Sequence, residues 1–170
     1  MKKQKSKNKR VSPKKYVSEK IKLDISKLEN DFYRADLIFH GLDHSGPSYE
    51  GRVFINNPNA NSKTPDEFGE GYTGSFFVFG HGGCLGNENH CDINRPIMRF
   101  NMIPNPLVPE RVSLIITDKL KELAKTTGEY TITIVPKLAK GATTVVQRDA
   151  DLENVVLLHK VSIETYDKED

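Results

Sequence analysis

The sequence predicts an all-β fold, an antiparallel β-sandwich of about seven strands with one short helix. Apolar and β-branched segments recur along the chain, and clusters of Gly, Pro, Asn and Asp separate them. Several of these segments alternate apolar and polar residues, the period of a strand with one buried face. Apolar residues recur at helical spacing in a single segment. The 170 residues are the length of one domain.

Four strands are predicted in the first part of the chain. They are 35–42, 49–57, 76–79 and 95–103. In the second strand Val53 and Ile55 alternate with Arg52 and Phe54, so the two pairs should lie on opposite faces of a sheet. The third is an aromatic run that fits a pleated, buried surface. Residues 58–71 are rich in turn formers and are predicted to be a loop.

The predicted helix and the remaining strands follow. Residues 111–116 are apolar and β-branched and should form a strand. Thr117 is the predicted N-cap of a helix in which Leu120 and Leu123 share a face, and Gly128 is its predicted stop. Three further strands are predicted at 129–138, 141–147 and 154–166, the last two as a hairpin.

The N-terminal residues differ in charge from the rest of the chain. Residues 1–22 hold ten Lys or Arg and one acid, so their balance is +9 although the whole chain carries +2. They have few apolar residues, so we expect a disordered tail before a folded domain at 23–170. Such a tail either improves solubility or attracts an acidic partner, an anionic membrane or nucleic acid. Specific nucleic-acid recognition is not expected, because Tyr16 is the tail's only aromatic residue.

Neither a targeting segment nor a membrane span is recognisable. No stretch approaches the roughly 20 apolar residues of a transmembrane helix, and the N-terminus lacks the apolar core of a secretory signal. The expected location is therefore the cytoplasm, where thiols stay reduced.

The aromatic strand runs into a glycine-rich loop that contains both cysteines. The candidate ligands in it are His81, Cys84, His90 and Cys91. Two thiolates and two imidazoles suit copper(I), with zinc as the alternative. Three interpretations stay open: a metal site, a Cys84–Cys91 disulfide, and a structural loop in which the cysteines pack and the histidines hydrogen-bond turns.

A second histidine cluster lies in the segment HGLDHSG. His40 and His44 flank Asp43, a carboxylate that could orient an imidazole or raise its pKa. If this strand end lies near the glycine-rich loop, the two histidines join His81 in one metal site. The alternative is that these side chains hydrogen-bond turns. His159, within VVLLHKV, is predicted to be a packed or edge-strand histidine.

The order of these motifs resembles the C-terminal β-sandwich of type-3 copper proteins, the tyrosinases, polyphenol oxidases and mollusc haemocyanins. The segments that resemble that domain are RVFINN, YTGSFFVFGH, RVSLIITDKLKELAKTTGEYTITIVPK and VVLLHKVSIETYD. The resemblance covers roughly residues 35–167. It implies a domain that covers the copper site of an oxidase, keeps the enzyme latent, or assists copper entry.

The resemblance implies binding without catalysis. In that family six histidines of a helical domain hold two coppers, whereas this chain has five histidines on predicted strands and loops. We therefore expect a non-catalytic accessory domain that binds a type-3 copper oxidase-like partner, and copper itself through the His/Cys loop. The alternative is a stand-alone interaction domain with a basic tail and a structural loop.

Motifs for independent catalysis are missing. The sequence has no nucleophile elbow, no phosphate-binding loop before a helix and no HExxH pair. The CxxC copper-delivery motif of some fungal members is also absent. The one candidate nucleophile is Cys84, with His81 or His90 as its base.

Overall fold

The structure is a computed structural model that describes residues 12–24, 32–82, 107–139 and 152–167. Within these ranges it contains nine β-strands, one 3-10 helix and one α-helix. The strands are β1 (Tyr16–Val17), β2 (Ile21–Lys22), β3 (Phe32–Leu42), β4 (Tyr49–Ile55), β5 (Tyr72–Val78), β6 (Glu110–Ile115), β7 (Glu129–Tyr130), β8 (Ile132–Leu138) and β9 (Lys160–Asp167). The 3-10 helix is Phe68–Glu70, and the α-helix, α1, is Thr117–Leu123.

The strands form three sheets, of four, three and two strands, and every pair is antiparallel. The front sheet has the order β1-β8-β4-β5, the back sheet has the order β6-β3-β9, and β2 pairs with β7. The apolar core between the sheets includes Leu37 and Phe39 of β3, Val53 of β4 and Ile134 of β8. The predicted fold class, an all-β antiparallel sandwich with one short helix, is confirmed.

The two sheets are joined at Phe76. Its ring centroid lies 4.7 Å from that of Phe39 in the back sheet and 6.3 Å from that of Tyr49 in the front sheet. Phe76 pairs across the ladder with Gly51, and a Cβ on that glycine would lie 2.6 Å from the Phe76 ring. The missing side chain therefore gives the ring room to lie flat over β4 and reach the other sheet.

The aromatic run is buried on one face only, which corrects the prediction of a buried strand. Phe76 and Val78 point into the core, whereas Phe77 is 65% exposed and Phe79, just beyond the strand, is 80% exposed. The cause is the two-residue period of a strand, which sends successive side chains to opposite faces whatever their hydrophobicity. β5 is also the edge of the front sheet, so no described strand covers its outer side.

The helix α1 lies where the sequence predicts it, but both of its ends differ from the prediction. The N-cap residue is Ile116, and Thr117 is the first helical residue. The Thr117 hydroxyl accepts a hydrogen bond from the Ala35 amide (3.0 Å) and so ties the helix to β3. The helix ends at Leu123, before Gly128, because the amides of Thr126 and Thr127 close the last turn on the Leu123 carbonyl.

Two predicted strands are shorter than expected. The segment 129–138 is divided at Thr131, whose amide and carbonyl bond the side chain and the backbone of Asn56 instead of a neighbouring strand. Of the segment 154–166, residues 154–159 form no strand, although Val155 and Val156 are buried in the core. The predicted strands 95–103 and 141–147, and hence the predicted hairpin, lie outside the described residues.

Part of the predicted basic tail is folded, so the expectation of disorder is wrong for residues 12–22. Tyr16 and Val17 pair with β8, and Ile21 and Lys22 pair with β7. Lys20 and Lys22 both reach the carboxylate of Glu129, at 2.7 and 3.5 Å. Backbone pairing with the edges of β7 and β8 and the ion pairs with Glu129 therefore order this segment despite its low apolar content. Residues 1–11 lie outside the described ranges, and the domain start at residue 23 stays a prediction.

No helix in the described ranges has the length and apolarity that a membrane crossing requires.

Replacing Phe76 by Ala should destabilise the fold by about 3–5 kcal/mol, because the change empties the contact between the sheets. The matched control is Phe77→Ala on the same strand, whose side chain is exposed and whose loss should change stability by no more than about 0.5 kcal/mol. Urea unfolding of both variants measures the difference. Equal losses would contradict the assigned strand faces.

Candidate metal-binding site

One end of the sandwich is organised by His44, in the turn between β3 and β4. The His44 carbonyl accepts a hydrogen bond from the His81 amide (2.8 Å), just after β5. Its imidazole Nε2 bonds the carbonyl of Val108 (2.9 Å), just before β6. The single residue thus holds both the chain that leaves β5 and the chain that enters β6. Cys84, His90 and Cys91 belong to the intervening segment and lie outside the described residues.

The contact of the His44 ring with Val108 places a hydrogen on Nε2. A carbonyl oxygen can only accept, so Nε2 must carry a hydrogen and donate it to Val108. In the neutral ring Nδ1 then presents a lone pair, and this atom is buried with no hydrogen-bond partner among the described residues. The Glu110 carboxylate lies 3.5 Å from Nδ1. Two acceptor atoms therefore face each other, an arrangement that a proton or a metal cation between them stabilises.

His81 lies beside His44. The two ring centroids are 5.0 Å apart, with the rings nearly perpendicular at 83°. His44 is 8% exposed, whereas His81 is open to solvent. The HGLDHSG segment and the first histidine of the glycine-rich loop are therefore brought together at one end of the fold.

The hydroxyl of Tyr49 is also buried and has no hydrogen-bond partner in the described part of the chain. Burial raises the pKa of Tyr49, and the negative charges of Asp43 and Glu110 raise it further. The phenol therefore keeps its proton at neutral pH and is available as a donor.

Asp43 does not orient a histidine. Its carboxylate accepts hydrogen bonds from the amide and the hydroxyl of Ser45, at 2.8 and 2.6 Å, and so closes a local turn. The turn interpretation therefore holds for this residue. The carboxylate that faces His44 is Glu110 from β6, which no local sequence pattern indicates.

His40 occupies a different environment. Its Nε2 lies 2.7 Å from the Ser162 hydroxyl of β9. Burial lowers the pKa of His40, and the positive charges of Lys160 and Arg111 lower it further, against a smaller opposite effect of Glu164. Neutral His40 therefore links two strands of the back sheet.

His159 lies just before β9 and its ring is exposed. A Cβ at Gly41 would lie 2.5 Å from His159 Nδ1, and the backbone of Gly41 is left-handed with φ 64°. The His159 amide also donates to the His40 carbonyl at 2.9 Å. The residue is packed against the β3 backbone, as one of the two predicted alternatives states, but it lies outside the strand.

Within the described ranges, no group of three or more His, Cys, Asp or Glu side chains converges in a way that would hold a metal ion. His44 and Glu110 form one pair of candidate donors, and His44 and His81 form another. Any further ligand would have to come from the rest of the chain.

Comparison with known proteins gives structural likeness only. No family model matches the chain, and no curated protein matches it. Among solved structures, latent aurone synthase (polyphenol oxidase) from a natural source is similar with a TM-score of 0.49 and 13% identity, over 92% of this chain and 25% of that chain. The recombinant latent enzyme, co-crystallised with hexatungstotellurate(VI), gives a TM-score of 0.48 and 12% identity over 91% and 24%. The same enzyme soaked in H2O2 gives 0.46 and 15% over 92% and 24%.

The chain spans about a quarter of the length of these enzymes. At this level of similarity, neither a family nor an activity is assigned to it. The fold and the described side chains define an all-β sandwich domain with a buried histidine at one end.

The lowered pKa of His40 predicts a loss of stability in mild acid. A folded-state pKa below the unfolded value of about 6.5 means that the contribution of neutral His40 is present above that pH and is lost as the pH falls toward the folded-state pKa. His40→Gln, whose amide can still bond Ser162, should give a flatter pH dependence. Urea unfolding of both proteins between about pH 7.5 and 5 measures this, and parallel curves would contradict it.

Proposed function

We propose that this chain is a non-catalytic binding domain that holds a copper ion at the His44 end of the sandwich, with zinc as the alternative ion. The observation that carries the proposal is the buried Nδ1 of His44, which has no hydrogen-bond partner among the described residues and faces Glu110. The proposed ligands are drawn from His44, His81 and Glu110, together with Cys84, His90 and Cys91 of the glycine-rich loop. His40 is the weaker candidate, because its Nε2 is bonded to Ser162.

The donor set fits such an ion. A metal-binding histidine usually donates its other ring N–H to a carbonyl or a carboxylate, which fixes the tautomer. His44 makes this bond to Val108 and leaves Nδ1 free. The 3.5 Å between Nδ1 and Glu110 is close to the distance of about 3.4 Å that separates two ligands of one tetrahedral zinc ion. A bound cation would also remove the opposition between the two acceptor atoms.

The cysteines would decide which ion is bound. Thiolates favour copper(I) or zinc, whereas imidazole and carboxylate without a thiolate suit zinc or copper(II) better than copper(I). A bound ion would supply a positive charge and fixed ligand geometry. We propose a structural or metal-carrying role for it.

Metal binding is tested on the purified, reduced full chain by titration with zinc(II) and with copper(I), followed by desalting and elemental analysis. We expect one equivalent of metal. In His44→Gln the amide can keep the bond to Val108 while the Nδ1 donor is lost, so affinity should fall at least about tenfold. His159→Gln, which changes an exposed histidine elsewhere, is the matched control and should bind normally.

Two results would overturn the proposed site. One is a wild-type chain that binds neither ion. The other is a Cys84→Ser, Cys91→Ser variant that no longer binds the ion while His44→Gln still binds it normally. That result would place the ion away from the histidine pair. A free-thiol count on protein purified without reductant separates a metal site from a Cys84–Cys91 disulfide. Two free thiols would agree with the proposed cytoplasmic location.

A partner-binding role is favoured by a second observation, the exposed aromatic pair Phe77 and Phe79. Phe77 lies in the edge strand β5 and Phe79 just beyond it, and both lie within four residues of His81. Exposed aromatic residues next to one another are typical of protein-binding surfaces. We propose that this pair contacts the type-3 copper oxidase-like partner that the sequence resemblance implies.

The docking proposal predicts that a Phe77→Ser, Phe79→Ser variant keeps its melting temperature but no longer associates. The measurement adds the chain to a type-3 copper oxidase catalytic domain produced without its own C-terminal domain, and follows diphenol oxidation. Wild-type chain should inhibit and the variant should not. Equal inhibition by both would exclude the aromatic pair.

The competing interpretation is an interaction domain that binds an acidic partner through its basic tail. In that case inhibition should fade with added salt and disappear when residues 1–11 are removed. This shorter deletion is cleaner than removal of residues 1–22, because residues 16–17 and 21–22 are strands of the fold.

A further inference from the structure

A cavity of about 790 Å³ lies on the outer face of the front sheet. We call it the outer cavity. The N-terminal segment and the loop after β4 form its walls, and β8 forms its floor. Its lining residues are Ser12, Pro13, Lys15, Arg52, Asn61, Ser62, Val135, Pro136, Lys137 and Leu138. We propose that the outer cavity binds a small amphipathic monoanion, a carboxylate with an apolar body.

The cavity exists because β1 is short. β1 pairs with only Thr133 and Ile134 of β8, whereas β4 pairs with β8 along its whole length. Beyond Ile134 the β8 edge on that side has no described strand beside it. Pro136, which has no amide hydrogen, suits such an edge. The size of the opening falls within the roughly 300–1,000 Å³ of small-molecule sites.

The floor of the outer cavity is apolar. Val135 packs with Phe54 and Ala60 in a small cluster on this face, separate from the main core. Pro136 and Leu138 also line the cavity, although Leu138 packs against the main core on the opposite face of β8. An apolar body lying on this floor would be removed from water, which stabilises it.

The charge of the lining is positive. It contains Lys15, Arg52 and Lys137, and no Asp or Glu among the described residues that line it. Two of these cations have carboxylate partners nearby, because Arg52 bonds Asp66 (2.7 Å) and Lys137 lies 3.3 Å from Glu50.

Lys15 is different, because its Nζ contacts only carbonyl oxygens in the described structure, those of Pro58 (2.5 Å) and Ala60 (3.3 Å). Carbonyls orient the ammonium group without neutralising it. Among the described residues, Lys15 is thus the one lining cation without a carboxylate partner, which matches a ligand with one negative charge. A monocarboxylate satisfies this condition, whereas a phosphate with two charges exceeds it.

The hydroxyls of Ser12 and Ser62 also line the cavity and can donate hydrogen bonds to a carboxylate. Arg52 is 7% exposed and is fixed by Asp66 and by the Thr64 carbonyl, so this wall is rigid. The cavity therefore combines a preformed apolar surface with a small number of converging donors, as ligand sites do.

The test is a titration of the 15N-labelled full chain with sodium octanoate, followed by amide chemical shifts. We expect saturable shifts at Ser12, Lys15, Asn61, Ser62 and Leu138. Octanamide has the same apolar body without the charge, and should bind at least about tenfold more weakly. Lys15→Gln should weaken octanoate binding by a similar factor. Lys63→Gln, which changes an exposed lysine of the loop after β4, should leave octanoate binding unchanged.

A second variant tests the space itself. Ser62→Phe leaves Lys15 in place but fills the opening from an exposed position, so it should abolish the shifts without unfolding the chain. Absence of saturable shifts, equal affinity for octanoate and octanamide, or shifts centred on Phe77 and Phe79 would each overturn the proposal.

Discussion

The contact of Phe76 with Phe39 across the sandwich sets what the rest of the fold presents to its surroundings. Phe76 can reach the back sheet because Gly51 leaves room for its ring on the front sheet. Once Phe76 points inward, the two-residue period of β5 sends Phe77 and Phe79 outward and delivers the chain to His81 beside His44. The exposed Phe77 and Phe79 and the position of His81 beside His44 therefore both follow from the inward packing of Phe76 against Phe39.

Charged side chains help to hold the outer face of the front sheet, beside the small apolar cluster of Phe54, Ala60 and Val135. Arg52 is nearly buried, yet its guanidinium meets Asp66, the Thr64 carbonyl and the ring of Phe54. Lys119 of α1 is equally buried and bonds the Phe68 carbonyl (2.8 Å) and Glu122 (3.0 Å). Removing Asp66 or Glu122 would leave a buried cation without its charge partner. The contacts of Arg52 and Lys119 thus hold the loop 58–71 on the sheet. The fixed loop forms one wall of the outer cavity.

The elements with a regular apolar period were predictable from the sequence. Val53 and Ile55 lie in the core and Phe54 lies on the other face, as their alternation indicates. The sequence predicts that His44 lies near His81 only if the end of β3 lies near the glycine-rich loop. It gives no sign of Glu110, because the contact of Glu110 with His44 depends on how β6 pairs with β3. Thr117 was misassigned because a hydroxyl near a helix start bonds whichever donor is closest, here Ala35 of another strand. Local pattern carries no information on such long-range partners.

The short N-terminal strands change where this domain can be cut. Ser18 exchanges hydrogen bonds with Ile132, 114 residues away, through its amide and its hydroxyl, and the Leu23 amide bonds the Gly128 carbonyl. A fragment that begins at residue 23, where the basic composition ends, would strip β1 and β2 from the molecule. It would expose the edges of β7 and β8 to other chains, and unpaired strand edges promote self-association. The solubility of a truncated domain thus depends on residues 16–22, although their basic composition is typical of a disordered tail.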